Sequence, residues 1–158
     1  MQLRTFTFLK SAVSIIGIVT LSLCIFVLPS LAGYTASMYP EFAFLKYPVL
    51  IGLYFSVVPF FFALYQSYNL LNVIKNKKAF SELAVMPLRN IMICAITITA
   101  LYTIGIIILA FLNALHPGIA IIGIAIIFAS LIIAIFSAVL QQLLRSVIIL
   151  ISENELTI

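Results

Sequence analysis

The sequence predicts an all-α integral membrane protein, a bundle of four transmembrane helices with both termini on the cytoplasmic side. Hydrophobic residues make up 65% of the 158-residue chain and charged residues 8%, and the mean hydropathy is +1.34. A soluble domain carries about 25% charge, so this chain lacks the polar residues to cover a surface in water. Its apolar residues fall into four runs, each long enough to cross a hydrocarbon core of about 30 Å.

The first predicted span covers residues 11–31 and follows a short polar segment with Arg4 and Lys10. Its basic start, its apolar core and the sequence Ser30-Leu31-Ala32 also fit a cleavable signal peptide. The apolar run is longer than the usual core of a signal peptide, and further spans follow it. We expect an uncleaved helix, with cleavage as the open alternative.

The second predicted span covers residues 47–71, and Pro59 is expected to kink it because proline removes a backbone hydrogen bond. Near its end, Tyr65, Asn69 and Asn72 follow i, i+4, i+7 spacing and share one face. Two interpretations are open for this face. It is either a helix end wetted by lipid headgroups or a polar seam against a neighbouring helix.

The longest polar interruption lies between the second and third predicted spans, at residues 72–90. It holds half of the eight basic residues, namely Lys75, Lys77, Lys78 and Arg89. Ser81 is a suitable cap for exposed amides, and Glu82 suits the positive end of a helix dipole. We therefore predict a cytoplasmic loop, with a helix that begins at Glu82 and reaches lipid near Ile91.

The third and fourth predicted spans cover residues 91–112 and 119–144, joined by a turn in which His116 is predicted to be a solvated loop residue. Small residues let helices approach closely. In the fourth span they recur four apart: Ala125 and Ala129, then Ser130, Ala134 and Ala138. We predict that both rows pack against neighbouring helices. Ser137 and Gln141, together with Tyr65 and Asn69, form the candidate intramembrane polar seam.

The predicted tail, residues 145–158, begins at Arg145 and stays apolar through Ile151. Such a segment in water would expose a patch that soluble surfaces avoid. One hypothesis is that the helix continues and packs Val147, Ile148 and Ile151 against Phe80, Leu83 and Met86. Glu153 and Glu155 would then lie near Lys75, Lys77 or Lys78. The alternative is that the fourth helix tilts and draws this segment into lipid.

Basic residues set the predicted orientation. With four crossings, the N-terminus, residues 72–90 and the C-terminus share one side, which holds seven of the eight basic residues, while Lys46 lies on the other. Basic residues are retained on the cytoplasmic side. The sequence therefore predicts that both termini are cytoplasmic.

No pattern in the sequence is typical of a catalytic, metal or cofactor site. Acid–base catalysis needs paired titratable groups, whereas four acidic residues and one histidine are spread over both predicted membrane faces. No phosphate loop, nucleophile elbow or metal-ligand spacing occurs. Cys24 and Cys94 are predicted at different depths, so we expect two free buried thiols. We predict that the chain is not an enzyme and does not bind nucleic acid directly.

Several segments together resemble one protein family. They are Val57–Gln66, Asn76–Ser81, Leu88–Ile91, Val139–Leu144 and Glu153–Ile158. The family is a bacterial group of small four-helix membrane proteins described only as a domain of unknown function. The resemblance implies a location in the bacterial inner (cytoplasmic) membrane. Its members are often encoded beside a Cro-like helix-turn-helix regulator, which implies membrane-linked control of transcription. The chain departs from the family near its end, where Glu155 replaces an aspartate and residues 147–151 lack the charges of relatives.

The predicted function is that of a membrane-embedded regulatory or interaction partner acting through its cytoplasmic face on a soluble regulator. The candidate contacts for a partner or for lipid are Lys75, Lys77, Lys78, Phe80, Arg89, Glu153 and Glu155. Contact with anionic lipid alone accounts equally well for the basic residues. The alternatives are a small transporter or channel for an uncharged solute, and an immunity protein against a membrane-active peptide. No sequence feature sets an oligomeric state.

Overall fold

The protein is helical along most of its described length. The computed structural model describes residues 2–157, and within them it contains five α-helices and no strand. They are α1 Gln2–Ser22, α2 Leu28–Met38, α3 Lys46–Lys75, α4 Glu82–Phe111 and α5 Pro117–Thr157. A π-helical turn, Leu23–Val27, joins α1 to α2, and a 3₁₀ helix, Pro40–Leu45, leads into α3. Four helical segments are long and apolar enough to cross a membrane, which confirms the predicted fold class.

The helices extend beyond the predicted spans. α4 begins at Glu82, as predicted, whereas α3 continues to Lys75, so the interruption predicted at residues 72–90 contains a connection of only residues 76–81. The predicted tail is also helical, because α5 continues to Thr157. Hydropathy marks where lipid ends, but lysine, glutamate and leucine sustain a helix in water as well. Met1 and Ile158, the ends of the predicted single domain 1–158, lie outside the described residues.

Packing between the spans follows their order along the chain. α4 packs extensively against both α5 and α3, and α3 in turn contacts α1 and α2. α4 and α5 approach each other closely at Gly123 of α5, where a Cβ atom would stand 2.6 Å from Cδ1 of Ile106 on α4. The absence of a side chain at Gly123 therefore lets α4 and α5 come together.

One face of α5 is buried against α4. Its buried residues are Gly123, Ser130, Ala134, Ser137 and Gln141. The predicted packing of Ser130 and Ala134 agrees with this face, and Ala138 is half-buried. The predicted packing of Ala125 and Ala129 is wrong, because both are exposed. At 3.6 residues per turn they lie on the opposite side of α5 from Gly123 and Ala134.

α3 and α4 end in the same kind of turn. After α3, the Lys77 N–H donates to Ile74 O and the Lys78 N–H to Val73 O, both at 3.0 Å. This is the Schellman arrangement, which needs a left-handed residue, and Lys77 supplies it with φ of 61°. Asn113, with φ of 55°, is the left-handed residue of the turn after α4. Lysine is a poor residue for this conformation, whereas asparagine tolerates it.

We expect Lys77→Gly to raise the free energy of unfolding by about 0.5–1 kcal/mol, because glycine adopts a left-handed conformation without a Cβ clash. The measurement is thermal unfolding in detergent. Lys78→Gly is the matched control, since it removes the neighbouring lysine without relieving a left-handed residue. Equal stabilisation by the two variants would show that lost charge, not backbone strain, is responsible.

The π-helical turn in the first span exposes a carbonyl that a second helix uses. The Leu28 N–H donates to Leu23 O, and Pro29, one residue further on, has no N–H to offer. The carbonyl of Cys24 instead accepts a 2.8 Å hydrogen bond from the hydroxyl of Tyr54 on α3. Pro29 therefore leaves the Cys24 carbonyl available, and the hydrogen bond from Tyr54 links the first span to α3 inside the membrane region.

We expect Tyr54→Phe to lower the free energy of unfolding in detergent by about 0.6–1 kcal/mol, the size of an interhelical hydrogen bond in a membrane protein. Tyr65→Phe is the matched control, because the Tyr65 side chain is 60% exposed. A Tyr65→Phe variant that is destabilised as much as Tyr54→Phe would contradict this role of the Cys24 contact.

Candidate functional site

Seven basic residues lie at one end of the helices, which we call the basic end. They are Arg4, Lys10, Lys75, Lys77, Lys78, Arg89 and Arg145. The spans alternate in direction, so the start of α1, the α3–α4 connection and the later part of α5 meet there. Lys10 Nζ lies 5.0 Å from the centre of the Tyr68 ring, which places α1 and α3 in register at this end. At the opposite end, Lys46 Nζ lies 5.3 Å from the Tyr47 ring.

An apolar groove of about 300 Å³ opens at the basic end, between α3, α4, α5 and the α3–α4 connection. Every residue that lines it is apolar: Leu70, Ile74, Ala79, Phe80, Ala84, Leu88, Leu140, Leu143, Leu144 and Val147. Residues of three spans and of the α3–α4 connection therefore form one apolar surface in this groove.

The residues that line the apolar groove repeat along each helix. On α3 and α4 they are spaced by four, Leu70 with Ile74 and Ala84 with Leu88, so each pair stacks along its helix. On α5 the lining extends from Leu140 to Val147, a rise of about 10 Å at 1.5 Å per residue. The groove therefore covers about 10 Å of the length of α5 at the basic end.

Four cations are next in sequence to residues that line the apolar groove. Lys75 follows Ile74, Lys78 precedes Ala79, Arg89 follows Leu88 and Arg145 follows Leu144. All four are exposed. Among residues 3–156, whose side chains are described, no carboxylate forms an ion pair with any of the four. The rim of the groove therefore carries positive charge that the described protein does not neutralise.

The predicted packing of the tail against residues 80–86 is wrong for Leu83, Met86 and Ile151, which are exposed at 55%, 57% and 43%. For Phe80 with Val147 it stays a prediction, although both residues line the apolar groove. Phe80 precedes α4 and cannot continue its spacing, and the buried residues at the start of α4 are Ala84, Val85, Pro87 and Leu88. Ile148 is half-buried. The predicted proximity of Glu153 and Glu155 to Lys75, Lys77 or Lys78 also stays a prediction.

α5 is much longer than a membrane crossing. Its 41 residues give about 61 Å at 1.5 Å per residue, against about 40–45 Å for a bilayer with its headgroups. Residues 148–157, which we call the α5 tip, are the part in excess. The tip exposes Ile149 at 57%, Leu150 at 62% and Leu156 at 85%, and it carries Glu153 and Glu155.

The four residues of the predicted polar seam do not form one surface. Ser137 and Gln141 are 6% and 7% exposed, and Gln141 Nε2 lies 3.5 Å from the Met92 sulfur as a donor. Asn69 is only half-buried, and Tyr65 is 60% exposed. The prediction that Tyr65 and Asn69 belong to an inner seam is therefore wrong for Tyr65.

Gln66, with 8% exposure, is a buried polar residue of α3 that the predicted seam did not include. It precedes Leu70 and Ile74 by four and eight residues, so it lies on the face that lines the apolar groove. The four-residue spacing from Gln66 to Leu70 and Ile74 is the sequence signal that could have identified this face. The predicted seam instead used Tyr65 and Asn69, which lie on the neighbouring face of α3.

The polar residues elsewhere have structural roles. His116 is exposed, as predicted, and its Nδ1 accepts a 3.0 Å hydrogen bond from the Gly118 N–H at the start of α5.

The two cysteines are free and buried, as predicted. Within the described residues, no three His, Cys, Asp or Glu side chains are grouped closely enough to hold a metal ion.

Comparison with known proteins places the chain among uncharacterized membrane proteins. The family model "Protein of unknown function (DUF2975)" matches residues 30–158. The chain belongs to this family. It is 48% identical over 153 residues to the uncharacterized membrane protein YoaS of Bacillus subtilis (strain 168), and the match covers 96% of each chain. No solved structure matches it. The predicted resemblance to a family of unknown function is confirmed, and the DUF2975 chain is a multi-pass membrane protein.

Proposed function

We propose that the protein is a non-enzymatic interaction partner embedded in the bacterial inner (cytoplasmic) membrane, with both termini cytoplasmic, that binds a soluble cytoplasmic protein. The α5 tip is the observation that carries this proposal. It continues α5 beyond the thickness of a bilayer while exposing apolar side chains. Exposed apolar patches on a polar background mark surfaces for partners.

A helix tilt of typical size does not return the α5 tip to lipid. A typical tilt of about 20° shortens the projection of α5 from about 61 Å to about 58 Å. About 13 Å of helix then still lies beyond a bilayer of about 45 Å. The excess of basic residues at this end, seven of eight, supports its cytoplasmic location, since basic residues are retained on that side.

The chemistry of the α5 tip selects a class of partner. Leu150 and Leu156 are 62% and 85% exposed, and the carboxylates of Glu153 and Glu155 lie between and beside them in sequence. A complementary surface is apolar with basic residues around it. Nucleic-acid-binding regulators carry such basic surfaces, and a helix-turn-helix regulator is the partner that the family resemblance suggests.

Site-specific photocrosslinking in intact cells tests this proposal. A photoreactive amino acid in place of Leu150 is expected to crosslink a soluble basic protein, identified by mass spectrometry. The matched control is the same amino acid at Phe128, which is 65% exposed within the membrane region and is expected to yield lipid adducts. With purified components, Leu150→Asp should abolish binding of the captured protein.

The outcomes separate the competing functions. Capture of a helix-turn-helix protein at Leu150 supports membrane-linked regulation. Lipid adducts alone at both positions contradict the proposal, and measurable flux of an uncharged solute into liposomes would then establish a transporter. Protection of cells against a membrane-active peptide by a variant lacking the α5 tip would instead indicate an immunity protein.

A further inference from the structure

We infer that the apolar groove is a binding site for one anionic phospholipid of the adjacent leaflet, with an acyl chain in the groove and the headgroup at the lysines. This inference is independent of the α5 tip and of any soluble partner. It rests on the lining of the groove, on its level in the membrane and on the charge at its rim.

The groove has the lining of an acyl-chain site. It is lined by apolar residues alone, over about 10 Å of α5 from Leu140 to Val147. A lining without polar groups suits an acyl chain, because no polar group is then buried without a hydrogen-bond partner.

The groove also has the depth of a lipid site. Leu70 lies 24 residues after Lys46, the start of α3, which is about 36 Å at 1.5 Å per residue. That level lies between the about 30 Å of a hydrocarbon core and the about 40–45 Å of a bilayer with its headgroups. The groove therefore lies where acyl chains meet headgroups, close to the level of Lys75 and Lys78.

The rim supplies the selectivity for anionic lipid. Lys75, Lys78, Arg89 and Arg145 are exposed beside the groove, and no described carboxylate pairs with them. Basic pockets between membrane helices recognise anionic headgroups. A zwitterionic headgroup carries its own cation beside the phosphate. It therefore interacts with the cations at the rim less favourably than an anionic headgroup does.

Fluorescence quenching tests the site directly, because the chain contains no tryptophan. Phe80 lines the groove and is 64% exposed, so Phe80→Trp places a single indole there with little disturbance. The protein is reconstituted in phosphatidylcholine vesicles with one quarter phosphatidylglycerol, and bromine is carried on the acyl chains of one lipid at a time. Per mole of brominated lipid, brominated phosphatidylglycerol should quench the tryptophan fluorescence at least about fivefold more strongly than brominated phosphatidylcholine. This is the preference expected from one lysine–headgroup contact.

Two controls make the result specific. Met86→Trp lies on α4 at a similar level, 57% exposed and outside the groove lining, and should show little lipid preference. Lys75→Ala and Lys78→Ala in the Phe80→Trp protein should each lower the preference about fivefold.

Three outcomes would overturn the inference. Equal preference at positions 80 and 86 would mean diffuse attraction of anionic lipid to the basic end. Equal quenching by both lipids at position 80 would mean an unselective groove. Quenching by neither lipid would mean that lipid does not enter the groove, as expected if a protein segment occupies it. None of these results bears on crosslinking at Leu150.

Discussion

Gly123→Leu is expected to lower the free energy of unfolding in detergent by about 3 kcal/mol, the largest effect of any single substitution considered. A Cβ atom at this position would stand 2.6 Å from Cδ1 and 3.2 Å from Cγ1 of Ile106. A whole leucine side chain forces α4 and α5 apart, and overpacking of this kind costs about 1–3 kcal/mol or more. Thermal unfolding followed by circular dichroism measures the change.

Gly105→Leu is the matched control for this prediction. It makes the same substitution on α4, and a Cβ atom at Gly105 has no heavy atom within 4 Å. Leucine favours a helix over glycine by about 0.8–1 kcal/mol, so Gly105→Leu should be neutral or slightly stabilising. Similar losses for the two variants would show that α4 and α5 are not held together at Gly123.

Ala134→Leu is expected to cost about 2–3 kcal/mol, because Ala134 is only 5% exposed on the face of α5 that packs against α4. Close backbone contact through small side chains is what stabilises helix pairs in lipid, where no hydrophobic driving force exists between helices. The same unfolding measurement applies.

The control for Ala134 is the identical change at Ala129, which is exposed on the other side of α5. Lipid accepts a leucine there, so Ala129→Leu should leave the free energy of unfolding unchanged. If Ala129→Leu were the more damaging variant, α5 would be rotated relative to the packing described above.

The spans were predictable from the sequence, whereas their ends were not. Long apolar runs separated by charge mark where lipid must be, and this is why four crossings were found. The helical backbone does not stop at the lipid boundary, so α3 reaches Lys75 and α5 reaches Thr157. Hydropathy therefore gave the number of membrane spans correctly. Ser81 and Glu82 correctly predicted where α4 begins, whereas the continuation of α3 to Lys75 was not predicted.

The faces of the helices were harder to predict because lipid and protein interior are both apolar. Leu83 and Met86 were predicted to pack against the tail because, with Phe80, they are spaced three apart, yet Ala84 and Val85 are the buried residues, each 2% exposed. Residue size is the better guide, since small residues allow close contact. By that criterion Ser130 and Ala134 were placed correctly, but Ala129 shows that a small residue can also face lipid.

No pattern in the sequence predicts the interhelical hydrogen bond of Tyr54. The free carbonyl of Cys24 arises from the π-helical turn before Pro29, and its pairing with Tyr54 depends on how α3 packs. Ser56 likewise meets the hydroxyl of Tyr102 at 3.2 Å only because α3 and α4 are adjacent. Contacts between distant segments follow from packing, which a single sequence does not reveal.

Cysteine accessibility across the membrane is the most direct test of the central claim, that the α5 tip stands in the cytoplasm. The natural thiols are replaced by Cys24→Ala and Cys94→Ala, and single cysteines are introduced by Ser37→Cys, Asn76→Cys or Leu150→Cys. An impermeant maleimide should label only the Ser37→Cys protein in intact cells. In inside-out vesicles it should label the Asn76→Cys and Leu150→Cys proteins at similar rates. Labelling of Asn76→Cys from outside would invert the topology, and a Leu150→Cys protein unreactive in both preparations would place the α5 tip in lipid.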